Sequence, residues 1–235
     1  MEQNNNVIVE ISLKLASIYA MQERKMEAEE GYKFCVAMQD PKMDEIEKDW
    51  VSKDTAKEMK TKEDISKESM EEHKSDTAVL LGMSLGSYGR FLLFEKRYQE
   101  ALPLFERSRV LCKNTMGMNT NQYAVILNDI ATLHIINKNF DKANEILKEG
   151  IALSMAAELA ECAVLHCNMG ALSLRRGDLD EATKSCELGR EIAIKFDHKL
   201  ALRNAESCLK KLAEVRADKA KKAEEEKSAA AGKDK

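Results

Sequence analysis

Apolar and small residues recur after residue 80 at matching offsets, in a pattern typical of paired amphipathic helices. In each copy a bulky residue stands four positions before a small residue, and an alanine follows twelve positions after it. The first copy contains Leu85, Tyr88, Gly89, Leu92, Ala101, Phe105 and Ser108. The second contains Leu127, Ile130, Ala131, His134, Ala143, Leu147 and Gly150. A weaker third copy contains Met169, Gly170, Ala182, Cys186 and Gly189.

This is the tetratricopeptide repeat pattern, in which two helices form a hairpin that packs at small-residue contacts. Since one hairpin cannot bury its apolar face alone, such units stack, and the stack provides a binding surface. We therefore predict an all-α fold, a tetratricopeptide-type helical-hairpin solenoid with a C-terminal capping helix. Ala101, Ala143 and Ala182 are separated by 42 and then 39 residues, so each hairpin has roughly one extra turn or a longer connector than the usual repeat.

The pattern divides the chain into five segments. Residues 1–41 fit a first helical repeat, residues 77–197 three long repeats, and residues 198–215 a capping helix. Residues 42–76 are highly charged and predict either a helical extension or a disordered linker, because they offer little apolar surface to bury. Residues 216–235 carry no apolar stripe, and we expect a frayed and then disordered tail. The expected repeat core consists of Ala16, Tyr19, Ala28, Leu85, Gly89, Ala101, Phe105, Leu127, Ala131, Ala143, Gly170 and Ala182.

Composition bears on the partners, the location and the state of the cysteines. Charged residues make up 33% of the chain with a net charge of -4, and no basic stripe with interleaved aromatics appears, so we expect no nucleic-acid binding. The most apolar stretch, 77–88, ends at Gly89 and is shorter than a membrane span, so none is expected. No targeting segment is visible, which would make the protein cytosolic if the chain is complete. The six cysteines lie in apolar helical runs without a Cys-x-x-Cys pair, and we interpret them as reduced.

Residues with catalytic or metal-binding potential are few. Cys162, His166 and Cys167 share a helix. A structural zinc site needs four ligands, however, and no further cysteine or histidine lies nearby in sequence. We therefore interpret His166 as a partly buried, hydrogen-bonded packing residue. His134 falls at a core position without a recognisable nucleophile beside it. We expect no enzyme activity, no catalytic residue, no cofactor and no metal.

If the array binds a ligand, the first helix of each hairpin should line the concave face. The offsets from the small residue place ten residues of a predicted protein-binding groove on that face: Met83, Arg90, Leu93, Phe94, Val125, Asn128, Thr132, Ile135, Leu174 and Arg175. The groove would be largely apolar with two arginines. Alternatively, the chain's own charged segment or capping helix fills it. Tetratricopeptide grooves that bind the C-terminal carboxylate of chaperones share a helix with the motif Lys-x-x-x-Asn. This motif does not occur in the sequence, so we do not expect a receptor for chaperone tails.

Three further segments carry a more specific resemblance: residues 6–20, residues 31–35, and residues 80–83 followed by 88–94. Over most of residues 6–215 the chain resembles the tetratricopeptide repeat protein 19 family. That resemblance implies a non-enzymatic role in assembly or maintenance of respiratory complex III, through binding of the complex and clearance of fragments of its Rieske subunit. It also implies a location at the mitochondrial inner membrane or its matrix side. The alternative is a cytosolic scaffold similar to the kinesin light chains, whose long repeats bind cargo peptides.

Overall fold

The structure, a computed structural model, describes the backbone of residues 2–54 and 65–231 and the side chains of residues 6–41, 76–223 and 225. Within these residues every regular element is an α-helix, which confirms the predicted all-α class. The helices are α1 (Glu2–Met21), α2 (Lys25–Asp54), α3 (Ile65–Phe94), α4 (Tyr98–Thr115), α5 (Asn121–Ile136), α6 (Phe140–Ala156), α7 (Cys162–Arg176), α8 (Leu179–Lys195) and α9 (Lys199–Ala231).

The chain divides into two compact units, of which the first covers Met1–Met118. Here α1 packs on α2 and α3 packs on α4, so the unit consists of two hairpins. Each hairpin closes at a small residue: Gly31 of α2 faces Ala16 of α1, and Gly89 of α3 faces the ring of Phe105. Because these glycines have no side chain, the two helix axes approach closely and Phe105 is completely buried.

The second unit, Asn119–Lys235, contains α5 to α9. It repeats the small-residue contact: Gly150 of α6 faces the side chains of Leu127 and Leu165, and Gly170 of α7 faces Cys186 of α8. The last helix, α9, packs on both α8 and α7. Its buried residues Ala201, Ala205 and Leu212 cover the apolar face of the last hairpin.

Most of the predicted core residues are buried, with one difference. Tyr19 is only partly buried, because its ring lies 4.3 Å from the guanidinium of Arg24 at the surface instead of inside the hairpin. The other eleven predicted core positions are fully or almost fully enclosed.

Two expectations from the sequence need correction. Cys186 and Cys208 form a disulfide, since the packing of α9 on α8 brings their Cα atoms to 6.3 Å, whereas Cys35, Cys112, Cys162 and Cys167 are not disulfide-bonded and are buried as expected. The apolar stretch is also longer than the sequence suggested, because helix α3 continues through Gly89 to Phe94. Residues 76–94 have the length and composition of a membrane span, yet 67% of this window is buried inside the protein, as in an ordinary core helix.

The charged segment 42–76 is helical at both ends, with α2 continuing past Pro41 to Asp54 and α3 beginning at Ile65. Residues 55–64 and the last four residues of the tail lie outside the described part of the chain. The choice between linker and helix therefore stays a prediction for residues 55–64. The tail expected to fray from residue 216 is helical as far as Ala231, because α9 continues beyond the predicted capping helix, and disorder stays a prediction for residues 232–235.

Most inter-helix turns share one geometry. Glu23, Lys96, Lys138, Glu158 and Asp197 have positive φ angles between 50° and 62°, and Gly177 has a φ of 85°. Around each of them the last turn of the helix closes with the paired backbone hydrogen bonds of a Schellman motif, such as Arg97 N–H to Leu92 O at 2.8 Å and Lys96 N–H to Leu93 O at 3.1 Å. These turns satisfy carbonyl groups that the helix end would otherwise leave without a donor.

A carboxylate organises the junction between the two hairpins of the first unit. Glu29 of α2 accepts hydrogen bonds from the Tyr88 hydroxyl at 3.0 Å and from the Arg97 guanidinium at 2.7 Å, and Lys33 lies 2.8 Å away. Arg97, and to a lesser extent Lys33 and Tyr88, lower the pKa of Glu29 from its usual 4.5 to about 2. Burial, together with the Glu29 carboxylate, raises the pKa of Tyr88 to about 12.

We expect Glu29→Gln to reduce the free energy of unfolding at pH 7 by about 1–2 kcal/mol, since the amide oxygen that replaces the carboxylate carries no negative charge to strengthen the hydrogen bonds from Arg97 and Tyr88. Because the pKa of Glu29 is lower in the folded than in the unfolded state, its contribution is complete above pH 4.5 and disappears as the pH falls towards 2. Urea denaturation between pH 7 and pH 2.5 measures both effects. The exposed neighbour Glu30, changed to Gln, is the matched control, and equal effects from the two variants would contradict this role.

Substitution by alanine should affect stability differently at two glycines of α3. A methyl group added at Gly89 would lie 2.8 Å from the Phe105 ring, so Gly89→Ala should destabilise the protein by about 1–3 kcal/mol. At Gly82 the nearest atom, Leu111 Cβ, would be 3.5 Å away, an ordinary contact. Gly82→Ala should therefore be neutral or stabilising by up to about 1 kcal/mol, because alanine favours the helix. Thermal melts of both variants provide the measurement, and a reversed order would refute the close approach at Gly89.

Candidate functional site

An open groove of about 580 Å³ lies between α1 and α3 in the first unit. Ser17, Ala20 and Met21 form the wall on α1, and Tyr32 and Phe91 form the floor. The wall on α3 consists of Ser87, Arg90 and Phe94. Glu23, Lys25 and Glu95 complete the lining at one end. These helices are the first helices of their hairpins, so the groove is on the face where tetratricopeptide arrays bind ligands.

The groove combines apolar anchors with a few charges. Phe94 is 79% exposed and Met21 is 78% exposed, an unusual amount of solvent contact for side chains of this size. Beneath them, Tyr32 and Phe91 pack with ring centroids 5.5 Å apart and give a rigid floor. The ion pair between Lys25 and Glu95, at 2.7 Å, closes one end. The arrangement suits an apolar peptide segment, while the Arg90 guanidinium beside Ser87 can meet a carbonyl or carboxylate.

A second groove, of about 530 Å³, lies between α7 and α9 in the second unit. It is lined by Cys167, Asn168, Ala171, Leu174, Arg175, Asn204, Ser207, Cys208, Lys211 and Val215. Its character is more polar, with Arg175 and Lys211 as cations. The capping helix provides one wall, so this surface exists only where α9 is docked.

The first helices of the second unit are joined by a polar contact. Asn168 of α7 donates to Asn128 Oδ1 at 2.6 Å and lies 3.3 Å from the hydroxyl of Thr132, both on α5. These three side chains are half-buried. The contact fixes the spacing of α5 and α7 and leaves their surface polar at this point.

The structure distributes the ten predicted groove residues over different surroundings. It brings Arg90 and Phe94 together in the first groove and Leu174 and Arg175 in the second. Met83 is exposed on α3, and Leu93 and Val125 are half-buried on α3 and α5, outside the linings of both grooves. Asn128 and Thr132 are engaged with Asn168. Ile135 departs from the expected exposure: it is only 4% exposed, because it points into the helix packing.

Sequence reasoning missed the contribution of α1 to the first groove. Ser17 and Met21 stand one and five positions after Ala16, as Arg90 and Phe94 stand one and five positions after Gly89. The same offsets, applied to the first repeat, would have placed Ser17 and Met21 on the concave face. Tyr32 gave no such signal, since it belongs to the second helix of its hairpin.

The residues considered for metal binding are enclosed. Within the described residues no group of three or more His, Cys, Asp or Glu side chains could hold a metal. Burial raises the pKa of both Cys162 and Cys167 to about 11 and lowers the pKa of His166, so all three are neutral at pH 7. His166 is buried as expected, but its Nδ1 finds no hydrogen-bond partner among the described atoms. His134 is likewise buried.

Comparison with known families supports the repeat assignment. The family model described as "Tetratricopeptide repeat" matches residues 78–156. Curated proteins called "Tetratricopeptide repeat protein 19, mitochondrial" are similar over a longer range. The one from Rattus norvegicus is 32% identical over 198 residues, which is 81% of this chain and 50% of the relative. The one from Homo sapiens is 33% identical over 176 residues, which is 75% of this chain and 42% of the relative. The chain thus spans about half the length of these curated relatives.

Solved structures support the fold class. A structure described as the kinesin light chain, with nearly identical TPR-like repeats, of Podosopora anserina aligns with a TM-score of 0.56. The alignment covers 91% of this chain and 97% of that one, at 14% sequence identity. At this identity the likeness concerns the fold alone.

Replacement of Asn168 by alanine should destabilise the second unit by about 1–2 kcal/mol, because Asn128 loses its amide partner in a half-buried position. Asn204→Ala is the matched control: Asn204 is exposed on α9, and its loss should change stability by less than about 0.5 kcal/mol. Urea denaturation compares the two variants. If both variants unfold at the same urea concentration as the wild type, the contact between α5 and α7 contributes no stability.

Proposed function

The chain is a tetratricopeptide repeat protein homologous to the curated proteins called "Tetratricopeptide repeat protein 19, mitochondrial", and on this basis we propose that it is a non-enzymatic, protein-binding adaptor of mitochondria. Its proposed role is the assembly or maintenance of respiratory complex III, including clearance of fragments of the Rieske subunit. Its proposed location is the inner membrane or its matrix side. The homology and the motif resemblance support the choice of this partner.

The groove between α1 and α3 is the observation that carries the proposed binding function. Its exposed anchors Met21 and Phe94 stand above a floor formed by two packed aromatic rings. Exposed apolar side chains around a concavity are typical of sites that bind a protein segment. The described lining contains neither histidine nor cysteine, and its carboxylates and Lys25 lie at one end, an arrangement that favours binding over catalysis.

The groove also limits the kind of ligand. A volume of about 580 Å³ accommodates a few side chains of a peptide, not a folded domain. An extended or locally helical segment with one or two bulky apolar residues would bury the two anchors and leave its polar flanks to Arg90 and the Lys25–Glu95 pair. Fragments of a proteolysed subunit expose such apolar segments, which makes them suitable ligands for this surface.

We expect Phe94→Ala to weaken binding of purified complex III about tenfold or more without loss of stability, since a truncated aromatic anchor removes contact area and Phe94 is already exposed in the free protein. Phe34→Ala is the matched control, because Phe34 is also exposed in the first unit but lies outside the groove. Affinity is measured by titration of the immobilised protein with purified complex III, and stability by thermal melting.

The same variants can be tested in cells, by deleting the gene and expressing the wild type or a variant in its place. Deletion should lower complex III activity and allow Rieske fragments to accumulate. The wild type and Phe34→Ala should reverse both changes, whereas Phe94→Ala should not. Normal complex III activity together with an unchanged amount of Rieske fragments in the deletion strain would contradict the proposed role, even if the groove binds other peptides.

A cytosolic scaffold similar to the kinesin light chains is the second function considered. The structural likeness to a kinesin light chain, at 14% identity, concerns the fold and adds nothing specific to that function. Fractionation of cells that express the full-length tagged protein distinguishes the two, because the adaptor role requires the mitochondrial fraction.

A further inference from the structure

The outer face of α1 is an aliphatic stripe in contact with solvent. Ile8, Ile11, Leu15 and Ile18 follow one another at intervals of three, four and three residues, so they share one side of the helix. Each of these side chains is between 43% and 61% exposed. The opposite side of α1, with Val9, Leu13 and Ala16, is buried. A surface helix normally presents polar residues to water, so a row of four exposed aliphatic residues calls for a partner.

The repeat register identifies what this stripe is for. With Ala16 aligned to Gly89, 73 positions later, the four stripe residues correspond to Leu81, Ser84, Tyr88 and Phe91 of α3. All four of these α3 residues are 8% exposed or less. The stripe therefore occupies positions that are enclosed in the next repeat.

The same comparison holds in the second unit. With Gly89 aligned to Gly170, the corresponding residues of α7 are Cys162, Leu165, Met169 and Leu172. They too are 8% exposed or less. The open state of these positions is thus particular to α1.

On both α3 and α7, the buried residues that correspond to the stripe are covered by the second helix of the preceding hairpin. On α3, Tyr88 and Phe91 pack against Tyr32 of α2, with ring centroids 5.9 and 5.5 Å apart. On α7, the methyl groups of Leu165 lie against Gly150 of α6. The surface complementary to the α1 stripe is therefore the second helix of a tetratricopeptide-type hairpin.

A charged residue at the edge of the stripe adds chemical detail. Arg24 and Glu27 occupy the positions of Arg97 and Glu100 in the next repeat, and both arginines bind their own repeat's glutamate. Arg97 additionally donates from Nη1 to Glu29 of the preceding helix at 2.7 Å. The described hydrogen bonds of Arg24, from Nε and Nη2, both go to Glu27. The equivalent of Glu29 would have to come from the helix that covers α1.

From this correspondence we propose that the outer face of α1 docks the second helix of a helical hairpin in a partner protein, with chemistry like that of α2. The docking helix carries a carboxylate for Arg24, then an aromatic and an aliphatic residue three and seven positions later, as Glu29, Tyr32 and Val36 do. A second copy of the chain cannot offer its own α2 for this purpose, because Tyr32 is already buried against α3. The surface is separate from the groove between α1 and α3.

The test uses a peptide copy of α2 as the probe for such a helix. The peptide covers residues 25–41 with Cys35→Ala and Ala37→Glu, the latter joined to Lys33 by a lactam bridge on the exposed side of the helix. Circular dichroism establishes that it is helical before use. Its binding to the full chain is followed by fluorescence anisotropy.

We expect saturable binding by the wild-type chain that weakens at least tenfold in the double variant Ile11→Ser, Leu15→Ser. Ile194→Ser, a change at an equally exposed isoleucine of α8, should leave binding unaltered. Arg24→Glu should weaken binding of the Glu29 peptide at least fivefold, and a Glu29→Arg peptide should restore it. Thermal melts establish that the variants are folded, which the exposure of all these side chains leads us to expect.

Three outcomes would overturn the proposal. The helical peptide fails to bind, or it binds the double variant as well as the wild type, as it would if it displaced α2 from α3 instead. The third is a concentration-dependent dimer in analytical ultracentrifugation that the double variant abolishes, since the stripe would then pair with a second copy. Each result is independent of complex III, so failure here leaves the proposed adaptor role standing, and the reverse also holds.

Discussion

Close approach of the two helices in each hairpin, made possible by a small residue at their crossing, is the constraint on which the rest of the structure depends. Gly89 leaves room for the ring of Phe105, Gly31 meets Ala16, and Gly170 meets Cys186. Dense packing at these crossings sets the direction of both helices, because a well-packed interior tolerates little change in volume. Once the direction is set, one side of the first helix faces the neighbouring hairpin and another lines the concave surface.

Polar contacts then add specificity where hairpins meet. Glu29 connects α2 to Tyr88 of α3 and to Arg97, which lies before α4, so one carboxylate holds together three elements of the first unit. In the second unit Asn168 joins α7 to α5 by neutral hydrogen bonds. The first junction depends on ionisation and is therefore sensitive to acid, whereas the second is not. Both junctions lie beside apolar packing and are only partly exposed to solvent, so an unmatched polar partner would be costly.

The small-residue pattern predicted the hairpins well because it reports directly on the crossing points. The turns were harder to predict, since only Gly177 among the Schellman positions is a glycine; Lys96 and Lys138 adopt the same left-handed geometry without any sequence signal. The pairing of Cys186 with Cys208 depends on how α9 docks on α8, which spacing alone does not determine. Groove residues were predicted least well, because exposure depends on neighbouring helices: Ile135 is enclosed, whereas Met21 is open.

Helix α1 has three distinct sides, and this distinguishes it from the other first helices. Val9, Leu13 and Ala16 are buried, Ser17 and Met21 line the groove, and the aliphatic stripe faces outward. A helix docked on the stripe would hold α1 from the side opposite its buried residues. If docking reduces the motion of α1 relative to α3, a ligand in the groove between them would lose less entropy on binding. The resulting coupling must be reciprocal, so a ligand in the groove would strengthen docking on the stripe by the same factor.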